Sequence, residues 1–207
     1  MKKMMTLGMA LVLTTALAGS ALASSIAGKV WYAEMEEIDD STLMYGGTAS
    51  LSLGETAWLS GMVLLGTYDD VWGSGVDYDS ADAEVVLGLS FNILDVGIGA
   101  RYSLWTLSDD FGNEEELTIF GPMAYLGLGD SFGESPLGWY IGGSYMFKDF
   151  GDADDADVDG FEHYNVEGGL FLALDPLVAT VGYRMKEYVE FDDSVFKGVT
   201  ASLGFGF

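Results

Sequence analysis

Residues 83–105 read AEVVLGLSFNILDVGIGARYSLW, and their period of two decides the fold. Val85, Leu87, Leu89, Phe91 and Ile93 fall on one face, against Glu84, Gly88, Ser90 and Asn92 on the other. After Asp95 the pattern resumes, with Val96, Ile98, Ala100, Tyr102 and Leu104 against Gly97, Gly99, Arg101, Ser103 and Trp105. Successive side chains of a strand point to opposite faces, so each segment is a strand with one apolar face. Leu94-Asp95 reads as the turn between them.

The same test extends along the chain. Leu43, Tyr45, Ala49, Leu51 and Leu53 oppose Thr48, Ser50 and Ser52, while Tyr164, Val166, Leu170 and Leu172 oppose His163, Asn165, Glu167 and Gly169. Ala179, Val181, Tyr183 and Met185 oppose Thr180, Gly182, Arg184 and Lys186. One further strand carries Trp139, Ile141, Tyr145 and Phe147 outward, and the last carries Val199, Ala201, Leu203, Phe205 and Phe207. Residues 26–35, 57–68 and 117–128 have the length and composition of strands but no clear phase, and Pro122 suggests a bulge or weakened ladder in the sixth.

The sum is about ten strands of about eleven residues, rather than eight or twelve, an even number at a length suited to crossing a membrane at a tilt. Connectors near Gly54 to Thr56, Leu94-Asp95, Asp130 to Pro136 and Asp175-Pro176 are short. Those near Glu36 to Ser41, Asp69 to Ser80, Ser108 to Glu116, Asp149 to Gly160 and Glu187 to Ser194 are longer or more acidic. This alternation, with both termini on the short-turn side, fits an all-β transmembrane antiparallel up-and-down barrel with periplasmic termini. Outward aromatics form two girdles: Tyr45, Tyr102, Tyr145, Tyr164 and Tyr183 toward the long connectors, and Phe91, Trp139, Phe205 and Phe207 toward the short ones.

The amino end carries an export signal. Lys2 and Lys3 precede an apolar run from Leu7 to Ala18, followed by Ala21-Leu22-Ala23, so residues 1–23 read as a secretory signal peptide and residues 24–207 as one barrel domain. There is no cysteine, hence no disulfide. Loss of Lys2 and Lys3 takes the formal charge from −25 to −27, which excludes a nucleic-acid partner by repulsion from phosphates.

At the carboxyl end, Val199-Thr200-Ala201-Ser202-Leu203-Gly204-Phe205-Gly206-Phe207 resembles the terminal assembly signal of Gram-negative outer-membrane β-barrels. Leu203, Phe205 and Phe207 carry it. The resemblance implies insertion by the barrel assembly machinery and a place in the cell outer membrane, a monomer among lipid and lipopolysaccharide.

Candidate functional residues follow from the phase. Lys29, Arg101, Lys148, Arg184 and Lys186 face the lumen with Glu84 and Glu167, a charge cluster that must pair or stay wet. If Asp175 and Pro176 form a two-residue turn, Glu167 faces Arg184, Asn165 faces Lys186 and His163 faces Tyr188. Most of the 33 acidic residues fall in the outer connectors, a crown suited to weak recruitment of divalent cations but to no dedicated cofactor. Asp155, Asp157, Asp159 and Gly160 reproduce the opening of a calcium loop, but Val166 stands where the closing Glu belongs.

These residues describe a non-enzymatic barrel, either a surface-exposed structural or interaction protein or a narrow, porin-like passive channel with acidic extracellular loops. The enzymatic alternative rests on resemblance to the omptin proteases, ten-stranded barrels that set an acidic pair in the second outer loop against an Asp-x-His in the fourth. Asp77-Tyr78-Asp79 and the sole histidine, His163, match that topology. Phe161 stands where the Asp belongs, leaving Asp159 or Glu162 to orient the imidazole.

Overall fold

The computed structural model describes residues 24–35, 40–71, 76–109, 114–147, 162–189 and 195–207. Ten strands fill them: β1 (Ser24–Met35), β2 (Asp40–Ser52), β3 (Ala57–Val71), β4 (Val76–Phe91), β5 (Leu94–Asp109), β6 (Glu114–Ser131), β7 (Leu137–Met146), β8 (His163–Leu174), β9 (Leu177–Tyr188) and β10 (Val195–Gly206). Each pairs antiparallel with its chain neighbours, and β1 pairs with β10, closing an up-and-down barrel. Closure leaves no free sheet edge in the ring, and the even strand count puts both ends of the described chain on the short-turn side.

The polarity is that of a barrel in lipid. Ile98 is 71% exposed, Leu203 62% and Phe205 55%, and the outward positions of every strand continue this apolar surface around the wall. A water-soluble monomer rarely shows a contiguous apolar patch above roughly 300–600 Å². The long-connector halves of the strands carry Tyr45, Tyr102, Tyr145 and Tyr183 on this surface, and the turn ends carry Phe91 and Phe205. The hydroxyls of Tyr145 and Tyr164 donate to Glu162 and Glu187, so these rings hold an apolar body and a polar tip at one level.

Several expectations need correction. The β4–β5 turn is Asn92-Ile93, not Leu94-Asp95: Phe91 faces Leu94 and Asn92 takes φ 59°. Asn is among the few non-glycine residues that enter this left-handed region at little cost. Moving the turn by two residues keeps every side chain on its expected face but changes its partner, so Glu84 faces Arg101 instead of Trp105. The second and third outer connectors are also shorter than expected, because β3, β4, β5 and β6 run on for 15, 16, 16 and 18 residues. Asp77, Asp79 and Glu114 to Glu116 therefore lie on strands.

At Pro122 the β5–β6 register runs through without a bulge. Among the described residues the β6–β7 ladder ends there instead: its last pair is Met123 with Met146, and the Pro122 carbonyl accepts from the Phe147 amide at 2.9 Å. The proline nitrogen faces that same side and carries no N–H to donate. The β8–β9 hairpin matches expectation, with Leu174 facing Leu177, Glu167 facing Arg184, Asn165 facing Lys186 and His163 facing Tyr188.

Candidate functional site in the barrel lumen

Inward side chains divide the lumen into three levels. Nearest the outer connectors, five buried or half-buried aromatic residues from five strands form a closed ring. Ring centroids are 5.6 Å apart for Tyr68 and Tyr78, 5.7 Å for Tyr78 and Trp105, 4.6 Å for Trp105 and Tyr188, 6.3 Å for Tyr188 and Phe196, and 6.0 Å for Phe196 and Tyr68. Most of these contacts are edge-to-face, the arrangement that the aromatic quadrupole favours. His163 stacks beneath the ring on Tyr188 at 4.8 Å, fully buried.

The middle level is ionic. Lys186 donates to Asp82 at 2.6 Å with both side chains 1% exposed, and Ser103 donates to the other Asp82 oxygen at 2.6 Å. The Lys186 ammonium also sits 4.8 Å from the Phe196 ring centre and 5.1 Å from that of Tyr188, tying this level to the ring above. Arg101 pairs with Glu84 on the adjacent strand, and Arg184 reaches the same Glu84 oxygen from the opposite wall at 3.2 Å. Lys29 donates to Glu167 at 2.5 Å, and Tyr140 donates to the second Glu167 oxygen at 2.9 Å. The Arg184 guanidinium lies over Trp31, 5.1 Å from the ring centre. Charges removed from water need such partners, since an unpaired buried ion costs several kcal/mol or about that order.

Sequence phase thus brings together Lys29, Glu84, Arg101, Glu167, Arg184 and Lys186. Lys148 lies outside the described residues, as do Asp155, Asp157 and Asp159. Two lumen carboxylates were missed. Asp82 falls just before the strand read from Ala83 and Asp95 in the expected turn, yet each shares the phase of its inward neighbour, Glu84 and Arg101 respectively. Counting both, four cations face four carboxylates between the rims among the described residues.

The third level, toward the short turns, is open. Here aromatic rings lie along the wall, over glycines. Trp58 faces Gly88 across the β3–β4 ladder, and a side chain at Gly88 would collide with its indole. The Tyr125 hydroxyl lies 2.7 Å from where a Cβ would stand on either Gly127 or Gly142. With these rings folded aside, a cavity of about 440 Å³ remains between the turns and the ionic level.

Among the described residues the omptin-like arrangement is not assembled. His163 points inward, whereas Asp77 and Asp79 point out through the wall, Asp79 accepting from Thr67 at 2.5 Å. Neither imidazole nitrogen has a protein partner among the described residues. Asp159 lies outside those residues, and Glu162 binds Tyr145 instead.

Apolar outside, ion-paired inside and closed by antiparallel strands, the chain is a transmembrane β-barrel of the bacterial outer-membrane type. No protein-family model matches it and no curated protein matches it. Among solved structures it is similar to the translocator domain of autotransporter NalP from Neisseria meningitidis, at 10% identity and a TM-score of 0.44, covering 100% of this chain and 95% of that one. It is also similar to the beta domain of the Bordetella autotransporter Brka, at 10% identity and a TM-score of 0.48, covering 91% and 99%. A third is the N-terminal β-barrel domain of Pseudomonas aeruginosa OprF, at 14% identity and a TM-score of 0.37, covering 88% and 97%. No activity is carried over from likenesses this distant.

Proposed function

We propose that this chain is a non-enzymatic barrel of the outer membrane, with periplasmic termini, whose closed lumen makes it a structural or interaction protein and not a channel. The observation that carries this reading is the stack of an aromatic ring on a paired ionic level, both spanning the lumen. A ten-stranded barrel is only slightly wider than the size that side chains fill, so two such levels leave no continuous water path of ion width. The role then falls to the outer face, where acidic residues from the strand tips of β4 and β6 and from the connectors form a negative crown. That crown repels anionic surfaces and gathers divalent cations by general electrostatics, which would link it to lipopolysaccharide.

Reconstitution into planar bilayers tests the reading: the folded protein is expected to give no stepwise ohmic conductance at low voltage. Reproducible unit steps, with a size set by the lumen charges, would overturn it in favour of a narrow channel.

A further inference from the structure

The open third level of the lumen has the chemistry of a binding site. Its cavity of about 440 Å³ falls within the roughly 300–1,000 Å³ of small-molecule pockets. Ser90 and Asp95 line its mouth at the β4–β5 turn, and Glu84, held by two arginines, lies at its far end. It is a well with a floor. The ionic level closes it on one side and the short turns leave it open on the other.

Three observations define what fits. Asp95 is the one inward carboxylate between the rims with no cationic partner among the described residues, and it accepts only from Ser90, at 2.6 Å. Trp58 and Tyr125, edge-to-face at 5.7 Å, give the wall an aromatic surface held in place by the glycines beneath it. Hydroxyls of Ser50 and Ser60 complete the lining. An ammonium group would answer Asp95 but cannot by itself also engage the Ser50 and Ser60 hydroxyls and cover the aromatic wall. A sugar hydroxyl both donates and accepts, and the C–H face of the ring packs on an aromatic surface.

We infer that this well binds a neutral saccharide unit from the short-turn side, with Asp95 accepting from ring hydroxyls and Trp58 supplying the stacking face. This goes beyond the proposed role and stands whether or not the lumen conducts. Saturation-transfer NMR on the purified barrel in lauryldimethylamine oxide micelles, with glucose and maltose as probes, tests it. Saturable transfer is expected with the wild type. Asp95→Asn should weaken it by about tenfold, the size of one hydrogen bond to a charged group. Ser60→Trp, which fills the well from β3, should abolish it, whereas Asp79→Asn on the outer wall should leave it unchanged. Heat-modifiable mobility establishes that each variant is folded. Tighter maltose binding would assign the well to a glycan chain end, and equal binding to a free monosaccharide. Absence of saturable transfer to folded wild type, or undiminished transfer to folded Asp95→Asn, overturns the inference.

Discussion

Glu167 and Arg184 face one another across the β8–β9 ladder, yet Arg184 comes closer to Glu84 on the opposite wall, at 3.2 Å against 3.8 Å. The ladder sets the register while the charge crosses the lumen. Lys29 takes the place nearest Glu167, so the hairpin pair is opened into a chain of four ions from β1, β8, β9 and β4.

Because Glu84 is shared by two arginines, removing it alone should cost more than removing it with one partner. Glu84→Gln is expected to destabilise the barrel by about 3–5 kcal/mol, the usual cost of stripping one member from a buried ion pair. The double variant Glu84→Gln/Arg101→Met should recover part of that loss. Urea unfolding in micelles measures both, and additive losses would show that the two side chains act independently.

The sidedness of the barrel can be read by cysteine labelling, since the chain has no cysteine of its own. A cysteine at Glu115, exposed at the outer end of β6, should react with an impermeant maleimide on intact cells. One at Glu134, exposed in the β6–β7 turn, should react only after the outer membrane is opened. The reverse pattern would invert the topology.

The terminal strand makes its own prediction. Leu203, Phe205 and Phe207 project from the lipid-facing side of β10, which pairs with both β9 and β1 and so closes the barrel. Phe207→Ser should lower the amount of heat-modifiable protein in the outer membrane without changing total synthesis. Unchanged assembly would mean that Phe207 carries no signal.

Gly198 tests the tightness of closure. It has φ 156°, and a side chain there would strike the Tyr32 carbonyl of β1. Backbone cannot give as a flexible side chain can, so Gly198→Ala should cost about 1–3 kcal/mol. Gly28→Ala, which meets nothing within 4 Å, should change stability by less than about 0.5 kcal/mol. Thermal unfolding compared side by side gives the answer.

How much of this was legible depended on what each strand buries. β2, β5, β8, β9 and β10 face the lumen largely with small or polar residues, so alternation alone gave their phase. β1, β3 and β6 put Trp31 and Ala33, Trp58 and Leu64, and Ile119 and Met123 inside, where they are buried or half-buried. With lipid on one side and an apolar filling on the other, hydropathy has nothing to alternate against. The β8–β9 register was legible because Asp175-Pro176 is an unmistakable two-residue turn. The β4–β5 register was not, because Asp95 resembles a turn residue as strongly as Asn92 does. Asp82 and Asp95 were lost from the ionic set through those boundary errors, not through any error of phase. The aromatic ring left a trace in the inward phase of Trp105, but its closure joins residues up to 128 positions apart and exists only in three dimensions.

The unequal strands have a consequence for anything that meets this protein from outside. Among the described residues β6 has 18 and its neighbour β7 has 10, and β6 pairs with β7 from Met123 onward. At roughly 3.3 Å per residue and a tilt near 40°, the span from Glu114 to Pro122 carries the β5–β6 ladder about 20 Å along the barrel axis. A partner that approaches the barrel from this end therefore meets a sheet-like wall along β3 to β6.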